Sequence, residues 1–378
     1  MEGRGRPKEN ARQSNNLRTQ SRDQLQQALE RVREVAAADK AAQFTSIWHM
    51  ACDPERLLTA FQAIKRQSAA GTDGQTKQDY EQELRENLLN LSARLQRGAY
   101  RAKPVKRVYI PKADGRERPI GIPTLEDKIV QRSVAEVLSA IYETDFHDFS
   151  YGFRPGRSTH QAVVRAREHI AAGFRWVVDM DLEKFFDRVN HDILMSRVAR
   201  EVKDKRVLKL IRRYLEAGVM QDGLTQHRTE GTPQGGPLSP LLSNILLNDL
   251  DRELERRGHR FCRYADDCNI YVCSRAAAEH AMTQITQFVE DTLRLKVNRE
   301  KSACARPWQR KFLGYSMTAQ KQTRVRIAPE SLKRLRDKVR EHLRTARGRR
   351  LDRTIGSLNR LLQGWLSYFR LSEVKSAL

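Results

Sequence analysis

Residues Arg263-Tyr264-Ala265-Asp266-Asp267 stand between two short apolar runs, with Phe261-Cys262 before them and Ile270-Tyr271-Val272 just after. This pattern predicts a β-hairpin that carries two adjacent carboxylates at its turn. Aspartate is common in turns for backbone reasons alone, so the pair by itself describes an ordinary solvated turn. A third carboxylate upstream changes that reading. Trp176-Val177-Val178 has strand composition, and Asp179 and Asp181 follow it, ahead of Leu182-Glu183-Lys184-Phe185-Phe186-Asp187. Adjacent carboxylates repel unless a cation lies beside them. A strand-end carboxylate facing a hairpin with two more is the arrangement of a two-metal phosphoryl-transfer site. Two Mg²⁺ ions about 4 Å apart there stabilise the attacking and leaving oxygens.

Charge points to the partner. The 378 residues include 70 Lys+Arg against 47 Asp+Glu, a formal charge of +23. Such an excess repels itself unless a polyanion shares the surface, and nucleic acid is the expected polyanion. No stretch approaches a transmembrane span, and the N-terminus lacks the apolar core of a signal peptide, so no membrane partner is expected. Cys52, Cys262, Cys268, Cys273 and Cys304 form no CxxC pair, and the nine histidines complete no zinc pattern. The cysteines are expected to be small buried residues in a reducing cytosol.

At this length two or three subdomains are expected. Residues 1–21 are polar and basic and read as a disordered arm. Leu25, Leu29, Val32 and Val35 then recur at helical spacing, and a second helix is expected over 54–65 with Leu57, Leu58, Phe61 and Ile64 on its apolar face. Gly71-Thr72-Asp73-Gly74 is a turn. Residues 106–111 and 118–122 read as a hairpin turning at Asp114-Gly115. Helices are expected over 125–141, 160–172, 192–216, 239–254 and 279–293, with a polar hairpin over 222–231. In 321–350, twelve basic residues face three acidic ones, a net +9. There Leu332, Leu335, Val339 and Leu343 form an apolar stripe, with Lys333, Arg336, Arg340 and Arg344 off it. A second amphipathic helix carries Ile355, Leu358, Leu361, Leu362, Trp365 and Tyr368.

Several runs together resemble a known family. Asp181-Leu182-Glu183-Lys184-Phe185-Phe186-Asp187, Gly231-Thr232-Pro233-Gln234-Gly235-Gly236-Pro237-Leu238-Ser239-Pro240 and Tyr264-Ala265-Asp266-Asp267 are similar to the successive palm motifs of reverse transcriptases. Ile110-Pro111-Lys112-Ala113-Asp114-Gly115-Arg116-Glu117-Arg118-Pro119, Tyr151-Gly152-Phe153-Arg154-Pro155-Gly156 and Phe312-Leu313-Gly314-Tyr315 occur in family order. The resemblance is to the reverse transcriptase/maturase proteins of group II introns and covers roughly residues 60–372. It implies an α+β right-hand polymerase of fingers, palm and thumb, with an antiparallel palm sheet and a helical thumb. The expected divisions are a basic arm and helix over 1–45, fingers and palm over 46–315, and a thumb or maturase domain over 316–378.

The implied activity is RNA-directed DNA synthesis, by attack of a primer 3′-hydroxyl on the α-phosphate of a dNTP. Asp181, Asp266 and Asp267 would hold two Mg²⁺ ions, with Asp179 and Asp187 structural. Lys301 matches the lysine proposed to protonate the leaving pyrophosphate. Lys112 and Arg118 on the fingers hairpin, Phe186 as a steric gate against the 2′-hydroxyl, Gln234 and Gly235 would contact the dNTP. Phe312, Leu313, Gly314 and Tyr315 would form the primer grip, and Lys333, Arg336, Arg340 and Arg344 would track a phosphate backbone. Expected partners are an RNA template, a DNA or RNA primer, dNTPs and group II intron RNA, in a bacterial cytoplasm at the nucleoid or in a ribonucleoprotein. A host-defence or CRISPR-associated polymerase and a non-catalytic RNA-binding maturase stay open beside this. Relatives usually continue past the run Trp365-Leu366-Ser367-Tyr368-Phe369-Arg370 into a DNA-binding segment. Here the chain stops at Leu378, so little or no site-specific DNA cleavage is expected.

Overall fold

A computed structural model describes residues 8–111, 117–221, 224–226, 228–346, 348 and 350–374, with side chains from Asp23 onward. The chain forms two compact units. The first takes the residues up to Phe146 with Lys184–Asp249 and Leu293–Leu295, and the second takes His147–Glu183, Leu250–Thr292 and Lys296–Leu378.

The first unit is built around the helix Leu125–Tyr142, most of whose side chains are buried. Thr124 caps it by accepting the Asp127 N–H, leaving one fewer orphan donor at the helix start. The helices Lys8–Ala38, Trp48–Ala51 and Pro54–Ala63 pack on it. From Lys8 onward the segment expected to be a disordered arm is therefore helical. It is the start of a 31-residue helix, Lys8–Ala38, that as a whole contacts the central helix, and tertiary contact stabilises a helix whose sequence is polar. On that helix Ala36 is buried and Val35 is exposed, so the apolar stripe ends one residue later than its spacing suggests. The link that follows is clipped down by Asp204, whose carboxylate accepts the N–H groups of Ile47 (3.0 Å) and Trp48 (2.9 Å).

Val105–Pro111 and Glu117–Ile122 pair antiparallel as expected, with Ile110 opposite Arg118. Lys112 and the Asp114-Gly115 turn lie outside the described residues. The sheet continues through Val219–Gln221, parallel to the first strand, and Leu224–Gln226. The polar hairpin thus begins at Val219, before the span its composition marked.

In the second unit a four-stranded antiparallel sheet runs in the order Arg260–Tyr264, Asp267–Val272, Trp176–Met180, Ala303–Ala305. The helices Thr159–Ala171 and Arg275–Asp291 pack on it. The first of them opens on a capping box between Ser158 and Gln161. Cys262 and Cys268 are buried in this sheet, whereas Cys273 is exposed, against the expectation of buried thiols.

The helices Pro329–Thr345 and Leu351–Tyr368 pack on each other. Leu332, Leu335 and Val339 are only half-buried, and Leu343 is exposed. The last turn is better anchored. Phe369 is buried among Tyr315 (ring centroids 5.1 Å) and Trp365 (4.6 Å) and joins the core of the sheet. No helix among the described residues is long and apolar enough to cross a membrane.

One ion pair in this unit has no exposed surface. The side chains of Arg263 and Asp251 are both 0 % exposed. Arg263 forks onto Asp251 through Nε (2.7 Å) and Nη2 (2.6 Å). It also donates to the Ala265 carbonyl (2.9 Å) and to Ser150 Oγ (2.7 Å). Burial works against the guanidinium charge, but Asp251 outweighs it and raises its pKa further. Asp251→Ala would strand a buried cation, so we expect unfolding to become about 3–5 kcal/mol easier in a urea titration. Glu30→Ala, which breaks a solvent-exposed pair with Arg33, should change stability by less than about 1 kcal/mol.

Candidate active site

The hairpin turn is set from both sides. Tyr264 pairs with Asp267, so Ala265 and Asp266 are the two turn residues. Ala265 takes a positive φ of 59°, the backbone sense that tight hairpin turns require. The Arg263 guanidinium holds its carbonyl. Across the turn, Gly152 comes so close that a Cβ there would lie 2.9 Å from the Tyr264 carbonyl carbon and 3.1 Å from Ala265 Cα. Two parallel-running hydrogen bonds, Tyr151 N–H to the Arg263 carbonyl and Arg263 N–H to the Phe149 carbonyl (each 2.9 Å), keep the glycine there.

Asp181 follows directly on the strand Trp176–Met180. Its N–H donates to Ser302 Oγ (3.0 Å), and its carbonyl accepts from Asn298 N–H (2.8 Å). These bonds bring the 298–302 turn against the strand end, where Lys301 Nζ lies 3.6 Å from Asp181 Oδ2. Asp179, two residues earlier, is engaged differently. Arg310 donates to its Oδ2 from Nε (2.7 Å) and also donates from Nη2 to the Lys301 carbonyl (2.7 Å). Arg310 therefore ties the neutralised Asp179 to the loop that carries Lys301.

Asp267 senses the whole group. Burial, then the negative charges of Asp179, Asp266 and Asp181, push its pKa up to about 8, with Lys311 opposing. Burial also raises Asp179, against the pull of Arg310. Among the described residues, no three His, Cys, Asp or Glu side chains are arranged to hold an ion unaided. Mg²⁺ does not need that. It is commonly held by one or two carboxylates, waters and substrate phosphates, and crowded aspartates short of positive charge fit such an ion.

Within the first unit, the glycine-rich loop is bound to the segment that follows Asp181 in sequence. Thr232 N–H donates to the Phe186 carbonyl (2.6 Å), and Gly231 N–H to that of Val189 (2.7 Å). Phe185 is buried (2 % exposed), and Phe186 is half-buried, edge-on to it. The Gln234 carbonyl accepts Gly121 N–H (2.7 Å). Gly235 has φ +126° and no room for a Cβ, which would lie 2.6 Å from the Gly121 carbonyl oxygen. Gly236 is pressed against the Gln131 side chain. The crowding that requires Gly235 thus comes from neighbouring backbone, whereas at Gly236 it comes from the end of a flexible side chain. Arg118 is exposed on its strand, and Lys112 lies outside the described residues.

In the second unit Phe312 and Tyr315 exchange backbone hydrogen bonds (2.9 and 3.0 Å) around Leu313 and Gly314, both at positive φ (52° and 82°). The turn is buttressed by Tyr368, whose hydroxyl donates to the Leu313 carbonyl (2.9 Å). Lys333, Arg336, Arg340 and Arg344 are all exposed on their helix. Sequence reasoning missed Arg263, Asp251, Gly152, Ser302 and Arg310. Of these, only Arg263 gave a usable signal, as a cation inside an otherwise apolar strand.

A proton retained by Asp267 has a measurable consequence. An ordinary carboxylate titrates near 3.9. Between there and about 8 the folded protein holds a proton that the unfolded chain has released, so stability falls as pH rises through that window. In metal-free buffer, Asp267→Asn should melt higher than wild type at pH 8 and above, and the difference should shrink to nothing near pH 4. Melting curves of both proteins across this range check it.

A family model described as "Reverse transcriptase (RNA-dependent DNA polymerase)" matches residues 110–317, and one described as "Group II intron, maturase-specific domain" matches 332–378. Protein YkfC of Escherichia coli (strain K12) is 34% identical over 308 residues, covering 71% of this chain and 81% of that protein. The group II intron-encoded protein LtrA of Lactococcus lactis subsp. cremoris is 27% identical over 392 residues, covering 83% of this chain and 65% of that protein. A chain of a solved structure titled "Partial Cas6-RT-Cas1--Cas2 complex" aligns with 65% of this chain and 43% of its own length, at a TM-score of 0.41 and 24% identity.

Proposed function

The chain belongs to the reverse transcriptase (RNA-dependent DNA polymerase) family, in its group II intron reverse transcriptase/maturase branch, and we propose that it is an active polymerase that copies RNA into DNA. The observation that carries this is the pairing of the strands Trp176–Met180 and Asp267–Val272, which sets Asp181 at the end of one and Asp267 at the start of the other, where burial and then the charges of Asp179, Asp266 and Asp181 raise the pKa of Asp267. In this reading the antiparallel sheet of the second unit is the palm, the helices Pro329–Thr345 and Leu351–Tyr368 are the thumb, and the hairpin Val105–Pro111 with Glu117–Ile122 belongs to the fingers.

Asp181, Asp266 and Asp267 would hold two Mg²⁺ ions, which supply Lewis-acid stabilisation to the attacking and departing oxygens. The protein's own groups do the rest. Lys301, placed beside Asp181, donates a proton to the departing pyrophosphate. Arg310 keeps Asp179 paired and so leaves the other carboxylates to the ions. Arg118 and Lys112 attract the triphosphate, Gln234 and Gly235 orient the nucleotide, and Phe186 excludes the 2′-hydroxyl. Phe312, Leu313, Gly314 and Tyr315 grip the primer. Lys333, Arg336, Arg340 and Arg344 neutralise phosphates of the hybrid. The substrates are an RNA template, a DNA or RNA primer and dNTPs, and group II intron RNA is a further partner.

Primer extension on an RNA template with Mg²⁺ tests the proposal. Asp266→Ala and Asp181→Ala should each reduce extension at least 100-fold while the circular-dichroism spectrum is retained, since a lost ligand removes several kcal/mol from the transition state. Wild-type extension by either variant would exclude this site. No extension by the wild type would leave the non-catalytic maturase reading.

The two phenylalanines should separate. Phe186→Val is expected to raise ribonucleotide incorporation with little loss of stability. Phe185→Val, which empties a buried site, should cost about 1–3 kcal/mol and leave sugar selection unchanged. Competition between dNTP and rNTP, beside thermal melts, distinguishes them.

A further inference from the structure

The polymerase reading gives no task to the most unusual residue of the loop 151–156. Phe153 has φ +60° and is 52 % exposed. Five non-glycine residues have positive φ among those described: Phe153, Lys184, Ala265, Arg294 and Leu313. Phe153 is the one that combines this conformation with an exposed aromatic ring. A bulky side chain in left-handed backbone is strained, and water contact is a second cost. Such strain persists only where the surroundings over-determine it, and it concentrates at functional sites.

The surroundings here do over-determine it. Just ahead, Gly152 is pressed onto the backbone of Tyr264 and Ala265. Just behind, buried Arg154 donates to the carbonyls of His147 (2.7 Å) and Ser150 (2.8 Å). Arg157 closes the loop, its N–H on the Arg154 carbonyl (3.3 Å) and its guanidinium on Asp148 (2.7 Å). The loop is thus fixed against the turn that carries Asp266 and Asp267. Consecutive Cα atoms are about 3.8 Å apart, so Phe153 is one residue's step from that contact. A half-exposed ring on a fixed backbone there offers a π-face to a nucleobase.

We propose that Phe153 is a stacking platform for a base of the template–primer at its reacting end. The proposal rests on the polymerase reading of the same unit. It names a contact that holds the nucleic acid in place beside the carboxylate turn and takes no part in the chemistry.

The test uses the full chain and two RNA–DNA hybrids without dNTP. One carries 2-aminopurine at the primer 3′ end, the other at the template base paired with that position. Stacking on Phe153 quenches the probe in the hybrid whose base it covers, and this identifies the strand. Phe153→Leu keeps apolar bulk and lacks the π-face. It should relieve that quenching and weaken hybrid binding about ten-fold. Phe153→Trp should restore both. Phe153→Asn suits left-handed backbone, so it relieves the strain while removing the ring, and it should lose binding as Phe153→Leu does. Wild-type fluorescence and affinity in both ring-less variants would overturn the platform. Primer extension by the wild type, run alongside, separates the two readings. Extension with unchanged fluorescence in the variants overturns the platform alone. Failure of the wild type to bind either hybrid overturns both.

Discussion

A guanidinium and a carboxylate with no exposed surface hold the centre of the second unit. Taking Arg263 and Asp251 out of water costs several kcal/mol per ion, and a single contact would not offset that. Their forked geometry does better, and Arg263 also donates to Ser150 Oγ and the Ala265 carbonyl. Ser150 and Ala265 belong to the loop and the hairpin that meet at Gly152. The ion pair is better understood as a device for uniqueness than for stability. An apolar pair of equal volume could fill the space, but it would not fix which carbonyl faces inward, and the turn bearing Asp266 and Asp267 would lose its reference.

That rigidity carries an electrostatic cost beside it. Four carboxylates, Asp179, Asp181, Asp266 and Asp267, act on one another, and the fold treats them unequally. Asp179 is given a full partner in Arg310, and Asp181 a looser one in Lys301. Asp267 receives no comparable relief and answers by holding its proton to about pH 8. The same neighbourhood stores backbone strain, at Ala265 in the turn and at Phe153 in the loop pressed against it.

The helical C-terminal region is stabilised differently. No residue of the helix Leu351–Tyr368 is buried, and Leu343, Leu351, Ile355 and Leu366 expose about half or more of their surface. Its firm attachment is at one end, where Phe369, Trp365 and Tyr368 meet Tyr315 and the 312–315 turn. Lys333, Arg336, Arg340 and Arg344 are exposed along the helix Pro329–Thr345.

The sequence by itself determined the local pieces. Alternation and turn chemistry placed the hairpin of Asp266 and Asp267, and 3.6-residue periodicity placed a helix over 125–141, where the structure has Leu125–Tyr142. The order of motifs indicated the family. These are short-range properties, decided by backbone sterics and by which side chains share a face. Only the tertiary structure decided the rest. Asp251 lies twelve residues before Arg263 with no local sign of the pairing, and Arg310 reaches Asp179 across 131 residues. Gly235 was expected to permit a close backbone approach, and the protein backbone that comes close to it is that of Gly121. The polar N-terminal segment looked like an arm and is helical from Lys8, as the start of a helix that packs on Leu125–Tyr142. A buried charge, a glycine under close approach and a marginal helix each depend on a partner distant in sequence, and no periodicity within one segment can name that partner.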